Sequence, residues 1–314
     1  MLPGFTGHLL SESFLEEKLT SDASVVDNSA WRLFADARRH GQSLGPASSL
    51  RAMLGLGASP LISVMGFAAP RDVELDRTVL IATLEIGSEP VVLIIARWSE
   101  PLELLWRAGV AHAVRRSSRW CAFFNGTSLR LMDAARPHSQ RYAEFDLDTV
   151  ADDERAFEAF RFVLDRFPSA LDTLVRESDA HGAGVCRSLK DGVLSASADV
   201  LAALVRPAGA RKSDSADSFQ QALTIVYRIL FLLFAESRRL VPLWHPVYRD
   251  SYSMEALRVL AERSNARGLW DTLRAIARLA HAGCRAGDLH VTPFNGRLFA
   301  PGRTPLAERR NEAK

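Results

Sequence analysis

The clearest candidate for chemistry is a group of four arginines around the end of a long apolar run, which extends from Ser218 to Leu240. The four are Arg228, Arg238, Arg239 and Arg249. A guanidinium group is planar and can donate two parallel hydrogen bonds to a phosphate, which favours contacts with a nucleic-acid backbone. We therefore expect these side chains to bind backbone phosphates of double-stranded DNA, weakly and without reading the base sequence.

The competing interpretation is that these arginines form surface ion pairs. Glu236 is spaced to pair with Arg239, and Asp250 directly follows Arg249. The whole chain carries 39 basic and 37 acidic residues, so its net charge gives no nucleic-acid signature. Only four of the basic residues are lysines, which suits phosphate binding but is also typical of a GC-rich genome.

The spacing of the three cysteines does not indicate a metal site or a disulfide. Cys121, Cys186 and Cys284 are far apart and form no CxxC pair, so neither a zinc site nor a disulfide framework is expected. The first residues, MLPGFTGHLL, lack the cationic start and apolar segment of a signal peptide. With 47% hydrophobic and 24% charged residues, the composition is that of an ordinary soluble protein, and the unpaired cysteines and the N-terminus lead us to expect it in the cytoplasm.

The run from Ser218 to Leu240 is predicted to be a core helix that positions these arginines. Ser218 and Gln221 have the spacing of a capping box, and apolar residues then fill most of the helix circumference. Arg228 and Glu236 interrupt the run, whereas a membrane span needs about 20 uncharged residues, so no membrane contact is expected.

Residues 1–150 are predicted to form an α/β (α+β) domain. Short β-branched runs, LISVMGF, TVLIATLEIG and PVVLIIARW, predict strands from Pro60 onward. A helix from Leu102 to Arg116, a hairpin with an Asn125–Gly126 turn and a strand RYAEFDL follow.

Residues 151–217 are predicted to be helical and to end in a linker. A phenylalanine stripe ending at Pro168 predicts one helix, and two later patterns, at 171–178 and 193–205, predict an antiparallel pair. Residues 206–218 are polar and predict an exposed linker. Residues 218–314 are predicted to form an all-helical domain, closed by an Asn-Gly turn that packs Phe294 and Phe299 against its helices.

Three segments in order carry a resemblance to a known family. YRILFLLFAESRRLVP, PVYRDSYSMEALR and FNGRLFAP together resemble the region just before the methyltransferase domain of type IIG restriction–modification enzymes, which are adenine-specific DNA methyltransferases. The resemblance covers most of the chain and is strongest after Ser218. It implies a PD-(D/E)XK nuclease-like N-terminal domain followed by a helical connector, and it implies S-adenosylmethionine and Mg²⁺ as cofactors of the full-length family.

The nuclease motif that the resemblance implies is degenerate in this chain. Its third strand should carry a carboxylate and a lysine two residues apart, but Ile95 and Arg97 occupy those positions. The remaining acidic candidates are Glu12, Asp76 and Glu85. We expect a nuclease-like fold without nuclease activity; the alternative is an active magnesium-dependent endonuclease that uses Asp76 and Glu85.

Methyltransferase motifs are missing as well. The (N/D/S)PP(Y/F/W) tetrapeptide that binds a flipped adenine is absent, and the nearest segments, VPLW from Val241 and TPFN from Thr292, lack the second proline. The chain is thus expected to be the truncated N-terminal part, or a separate subunit, of a restriction–modification or phage-defence methyltransferase system. It would contact DNA, bind no cofactor itself and have a methyltransferase subunit as its second partner.

Overall fold

A computed structural model describes residues 2–21, 28–87, 89–205, 215–263, 268–294 and 296–309. The chain divides into two compact units, Met1–Val185 and Cys186–Lys314. Each unit encloses buried apolar clusters of its own.

The first unit is built on a mixed, mostly antiparallel seven-stranded sheet. In sheet order the strands are β1, β7, β6, β5, β4, β3 and β2, and only the β4–β5 pair is parallel. The strands are β1 Phe5–Gly7, β2 Arg71–Asp76, β3 Val79–Ile86, β4 Glu89–Ile95, β5 Trp120–Phe124, β6 Ser128–Asp133 and β7 Tyr142–Asp146. The predicted α/β class is therefore confirmed at this level.

Strand β4 is covered on both faces, as its uninterrupted apolar run predicts. Val91, Leu93 and Ile95 contribute to one buried cluster, while Val92 and Ile94 contribute to the cluster on the opposite face. Alternate side chains of a strand point to opposite faces, so an all-apolar strand must lie between two layers.

Helices form both covering layers. Helix α5 packs against β4 and β5 on one face, and the remaining helices lie with the larger cluster on the other. The helices of the two layers are α1 Glu12–Ser21, α2 Asn28–His40, α3 Leu50–Ala52, α4 Ser59–Val64, α5 Trp106–Arg115, α6 Leu147–Asp152 and α7 Glu154–Leu164. A π-helical turn, Met53–Ala58, joins α3 to α4. The predicted helix after Leu102, the hairpin at Asn125–Gly126 and the helix before Pro168 are confirmed.

The structure differs from the predicted secondary structure in two segments between residues 59 and 76. LISVMGF, predicted as a strand, mostly belongs to helix α4, because a short apolar run does not by itself distinguish a buried helix from a buried strand. The segment RDVELD, for which no strand was predicted, forms β2. Strand β2 is at the sheet edge and largely exposed, so it can be built from charged residues. Its sequence therefore lacks the alternation of apolar and polar residues by which a strand is predicted.

The predicted antiparallel pair of helices is a single helix. Helix α8 runs without interruption from Leu171 to Val205 over 35 residues. The segment between the two predicted helices contains glycines but no proline, and an interior glycine costs only about 1 kcal/mol relative to alanine. A helix can therefore continue through it. The predicted linker that follows lies largely outside the described residues.

The second unit is mainly helical. The prediction that residues 218–314 are entirely helical is wrong, because they also contain two short strands. Its elements after α8 are α9 Ser215–Ser237, α10 Pro246–Ser251, α11 Met254–Ala261, α12 Leu269–Ala282, β8 Cys284–Ala286, β9 Leu289–Val291 and α13 Pro305–Arg309. Strands β8 and β9 form an antiparallel hairpin, in which Gly287 has a φ of 62°. Strands of three residues are too short to produce a detectable alternating pattern.

Helix α9 has the length and composition of a membrane span, but it packs as a core helix here. Half of its most apolar stretch, within Ala216–Ser237, is buried inside the structure. Its buried polar side chains include Arg228 and Gln221. The helix begins at Ser215, so the proposed capping box at Ser218 lies within the helix; Gln221 instead donates to Asp217 and accepts from the Leu306 amide.

Close packing of α5 on the sheet gives a first testable prediction. A Cβ atom at Gly109 would lie 2.4 Å from Phe123 Cζ, so Gly109→Ala should lower the free energy of unfolding by about 1–3 kcal/mol. Urea unfolding followed by circular dichroism measures this. Gly184→Ala is the matched control, because that helical glycine has open space around it and alanine should raise stability by about 0.5–1 kcal/mol. Equal effects of both changes would contradict the packing.

Candidate functional site

Arg228 occupies the middle of α9 and fastens the C-terminal segment to it. Its side chain is 5% exposed, and its guanidinium donates to the Leu298 carbonyl (2.7 Å), the Ala300 carbonyl (2.9 Å) and Thr304 Oγ1 (2.9 Å). Burial lowers the pKa of Arg228 from its usual value, partly opposed by Glu308. The predicted phosphate contact is therefore corrected: Arg228 is inside the unit and its donors are used by the protein itself.

Two of the segments behind the resemblance pack against each other beside Arg228. Phe231, one turn after Arg228, packs edge-on against Phe294 and Phe299, with ring centroids 5.3 and 5.5 Å apart. Packing of Phe294 and Phe299 against the helices is as predicted, although Asn295 of the expected tight turn lies outside the described residues. YRILFLLFAESRRLVP and FNGRLFAP thus form one packed unit.

Glu236, the suggested ion-pair partner of Arg239, has a different role. Its carboxylate accepts a hydrogen bond from the Met254 amide at 2.7 Å and so caps the first turn of α11. Burial raises the pKa of Glu236, and the Met254 amide opposes this rise. Ser253 caps the same helix through the Ala256 amide at 3.0 Å. Two side chains thus fix where α11 begins.

Arg249 forms the surface ion pair that was its alternative interpretation. Its Nε donates to Asp250 Oδ1 at 2.8 Å, and both side chains are more than half exposed. The hydrogen bond from Arg249 lowers the pKa of Asp250. An exposed pair of this kind contributes little to stability, so Arg249 is a weaker candidate for phosphate binding than its position in the sequence suggested.

Arg238 and Arg239 are exposed at the end of α9. Arg238 extends over the Phe234 ring, 5.7 Å from its centroid. Arg239 has a φ of 55° and ends the helix, with its amide bonded to the Glu236 carbonyl at 3.0 Å. Two adjacent cations at a helix C-terminus are favoured by the helix dipole, and Arg239 also lines a cleft.

The cleft is a feature that the sequence reasoning missed. It has a volume of about 660 Å³ and lies between residues 239–244 and residues 290–294. VPLW and part of TPFN, which failed as methyltransferase motifs, provide two of its walls. Trp244, 69% exposed, was not singled out before. A large aromatic residue two positions after Pro242, in the segment between helices α9 and α10, was the feature of the sequence that could have indicated it.

The acidic candidates in the first unit are engaged separately. Asp76, at the end of β2, accepts from buried His112 Nε2 at 2.9 Å. Glu85, on β3, pairs with Arg71 at 2.8 Å. Each carboxylate therefore has a local partner that accounts for it, and neither pair includes a second carboxylate.

Strand register separates Asp76 from Glu85. Asp76 is opposite Val79 on β3, and Glu85 lies six residues further along that strand. At about 3.3 Å per residue, this amounts to about 20 Å. Two ligands of one Mg²⁺ must each approach to about 2.1 Å, so these carboxylates do not form a shared metal site.

The remaining nuclease candidates do not complete such a site either. Glu12 accepts a hydrogen bond from the Leu2 amide, near β1 at the opposite edge of the sheet from β2. Ile95 is fully buried, and Arg97 follows β4 as an exposed residue whose amide donates to Glu100 at 3.1 Å. Among the residues that the structure describes, no group of three or more His, Cys, Asp or Glu side chains could hold a metal. The described candidates do not fit the Mg²⁺ site that the resemblance to type IIG enzymes implies.

Comparison with protein-family models, curated protein sequences and solved structures found no match for this chain. The resemblance to type IIG enzymes therefore remains a prediction from the quoted motifs.

Removing the buried guanidinium should destabilise the second unit strongly. Arg228→Ala removes three hydrogen bonds and leaves the Leu298 carbonyl and Thr304 Oγ1 without this donor, so it should lower the free energy of unfolding of that unit by about 3–5 kcal/mol. Arg228→Lys should recover part of this loss, and exposed Arg238→Ala should change stability by less than about 0.5 kcal/mol. Urea unfolding of all three variants measures the difference. A similarly small effect of Arg228→Ala would refute the fastening role.

The separated carboxylates predict that the protein does not cleave DNA. Supercoiled plasmid incubated with the purified chain and Mg²⁺ or Mn²⁺ should stay supercoiled, because Asp76 and Glu85 lie too far apart to hold one metal ion. Gel electrophoresis over time measures nicking and linearisation. Metal-dependent cleavage that disappears in both Asp76→Asn and Glu85→Gln would overturn this interpretation.

Proposed function

We propose that the chain is a DNA-contacting scaffold in a restriction–modification or phage-defence system that includes an adenine-N6 methyltransferase. The observation that carries the proposal is the pair of exposed arginines, Arg238 and Arg239, at the end of α9. Neither has an ion-pair partner among the described residues, so their donors can reach phosphates without first breaking a salt bridge.

The order of elements in the first unit supports a nuclease-like ancestry as part of this proposal. Strands β2, β3 and β4 form an antiparallel meander, α5 crosses over, and β5 returns parallel to β4. This is the arrangement that the resemblance implies for a PD-(D/E)XK core. Asp76 and Glu85, the two carboxylates that the alternative endonuclease would use, have separate partners and lie about 20 Å apart along β3, which favours a scaffold over that alternative.

A methyltransferase partner would supply the chemistry for which this sequence has no motif. S-adenosylmethionine and the flipped adenine would bind to that partner, and the present chain would contribute backbone contacts that hold the complex on DNA. The cytoplasm, where chromosomal and invading DNA are both accessible, is the proposed location. Co-purification tests this partnership: an adenine-N6 methyltransferase encoded by a neighbouring gene should be recovered with the chain. Recovery of the chain without it would contradict the partnership.

Salt-dependent DNA binding provides the direct test. The protein should bind a fluorescent duplex in anisotropy titrations, with a log–log salt slope to which each phosphate contact adds about −0.9. Arg238→Ala with Arg239→Ala should therefore make the slope shallower by about 2. Titrations between about 50 and 200 mM salt span the useful range.

A charge-matched double variant separates specific contacts from net charge. Arg249→Ala with Arg258→Ala also removes two positive charges, but these arginines pair with Asp250 and with Glu255 and Glu262. Its slope should remain close to that of the unmodified protein. If both double variants change the slope equally, or if the unmodified protein does not bind at about 50 mM salt, the proposed phosphate contacts are wrong.

A further inference from the structure

We propose that the cleft beside Arg239 binds an unpaired base of single-stranded nucleic acid, with the base stacked on Trp244 and its phosphate held by Arg239. The choice of nucleic acid as the ligand rests on the proposed function. The cleft extends that function from sequence-independent contact with duplex to capture of a displaced strand.

The size and lining of the cleft suit a ring with an attached anion. Its volume of about 660 Å³ is within the usual range of ligand pockets. Buried Val241 and Val291 contribute apolar walls, and Phe294 adds an aromatic one. None of the described residues that line the cleft is acidic.

Trp244 is held as a platform rather than left free. Its ring packs edge-on against His245, with centroids 5.5 Å apart and planes at 72°. His245 is fixed in turn by Asp288, 3.1 Å from its Nε2, and by a bond from its own amide to the Pro242 carbonyl. The indole nevertheless remains 69% exposed. A ring with one edge packed against the protein and its remaining surface exposed is available for base stacking.

The charges at the cleft favour a nucleotide over an apolar peptide. Arg239 provides a cation on one wall beside the apolar lining, and the exposed side chain of His290 lies on the facing hairpin. An apolar peptide would use the lining but leave the arginine without a partner. A stacked base with its phosphate uses both features at once.

The test compares a labelled thymidine oligonucleotide of about 12 nucleotides with an abasic oligonucleotide of the same length. Anisotropy titrations at constant salt should show about tenfold tighter binding when bases are present, the order of magnitude for stacking one base on an aromatic ring. Trp244→Ala should remove this difference, whereas Trp244→Phe should keep most of it. Val247→Ala is the matched control, because Val247 is exposed but outside the cleft lining.

Circular dichroism of each variant verifies that the fold is retained. Equal affinity for the two oligonucleotides, or no effect of Trp244→Ala, would overturn the inference even if duplex binding behaves as proposed. Loss of methyltransferase co-purification in Trp244→Ala, with oligonucleotide binding unchanged, would identify a protein-docking site and also overturn it. Conversely, Trp244-dependent strand binding without arginine-dependent duplex binding would support the cleft and refute the proposed duplex contacts.

Discussion

Buried guanidinium groups constrain both units, because a buried charge is tolerated only when its donors are satisfied. In the second unit, Arg228 meets this requirement with three acceptors from the C-terminal segment. Arg130 in the first unit lies between Glu103 and Glu144, over the Tyr142 ring. In each case one side chain links segments that are distant in the sequence, and the packing around it follows from that link.

The sequence predicted the elements with strong local signals and failed where the deciding interaction is remote. The buried run of β4 and the hairpin at Asn125–Gly126 were evident, because their own residues specify them. Edge strand β2 and helix α4 were not, since exposure at a sheet edge and burial beneath a sheet depend on neighbours. Local patterns thus predicted the class of the fold better than its edges.

The same limit applies to the candidate site. Arg228 and Arg238 are ten residues apart in one apolar run and look equivalent in the sequence. One is buried because residues 298–304 fold over it, and the other is exposed because nothing described covers it. The cleft was also inaccessible to sequence reasoning, since its walls come from segments about fifty residues apart, which meet where Val241 packs in one apolar cluster with Leu289 and Val291 of strand β9.

The backbone at Arg239 has a thermodynamic cost. Its φ of 55° is in the left-handed region, where a residue that ends a helix is usually glycine and a residue with a Cβ is disfavoured by about 1 kcal/mol. A glycine would end α9 with less strain but would remove the cation from the cleft wall. The arginine therefore places a cation at the cleft wall at a cost in folding free energy.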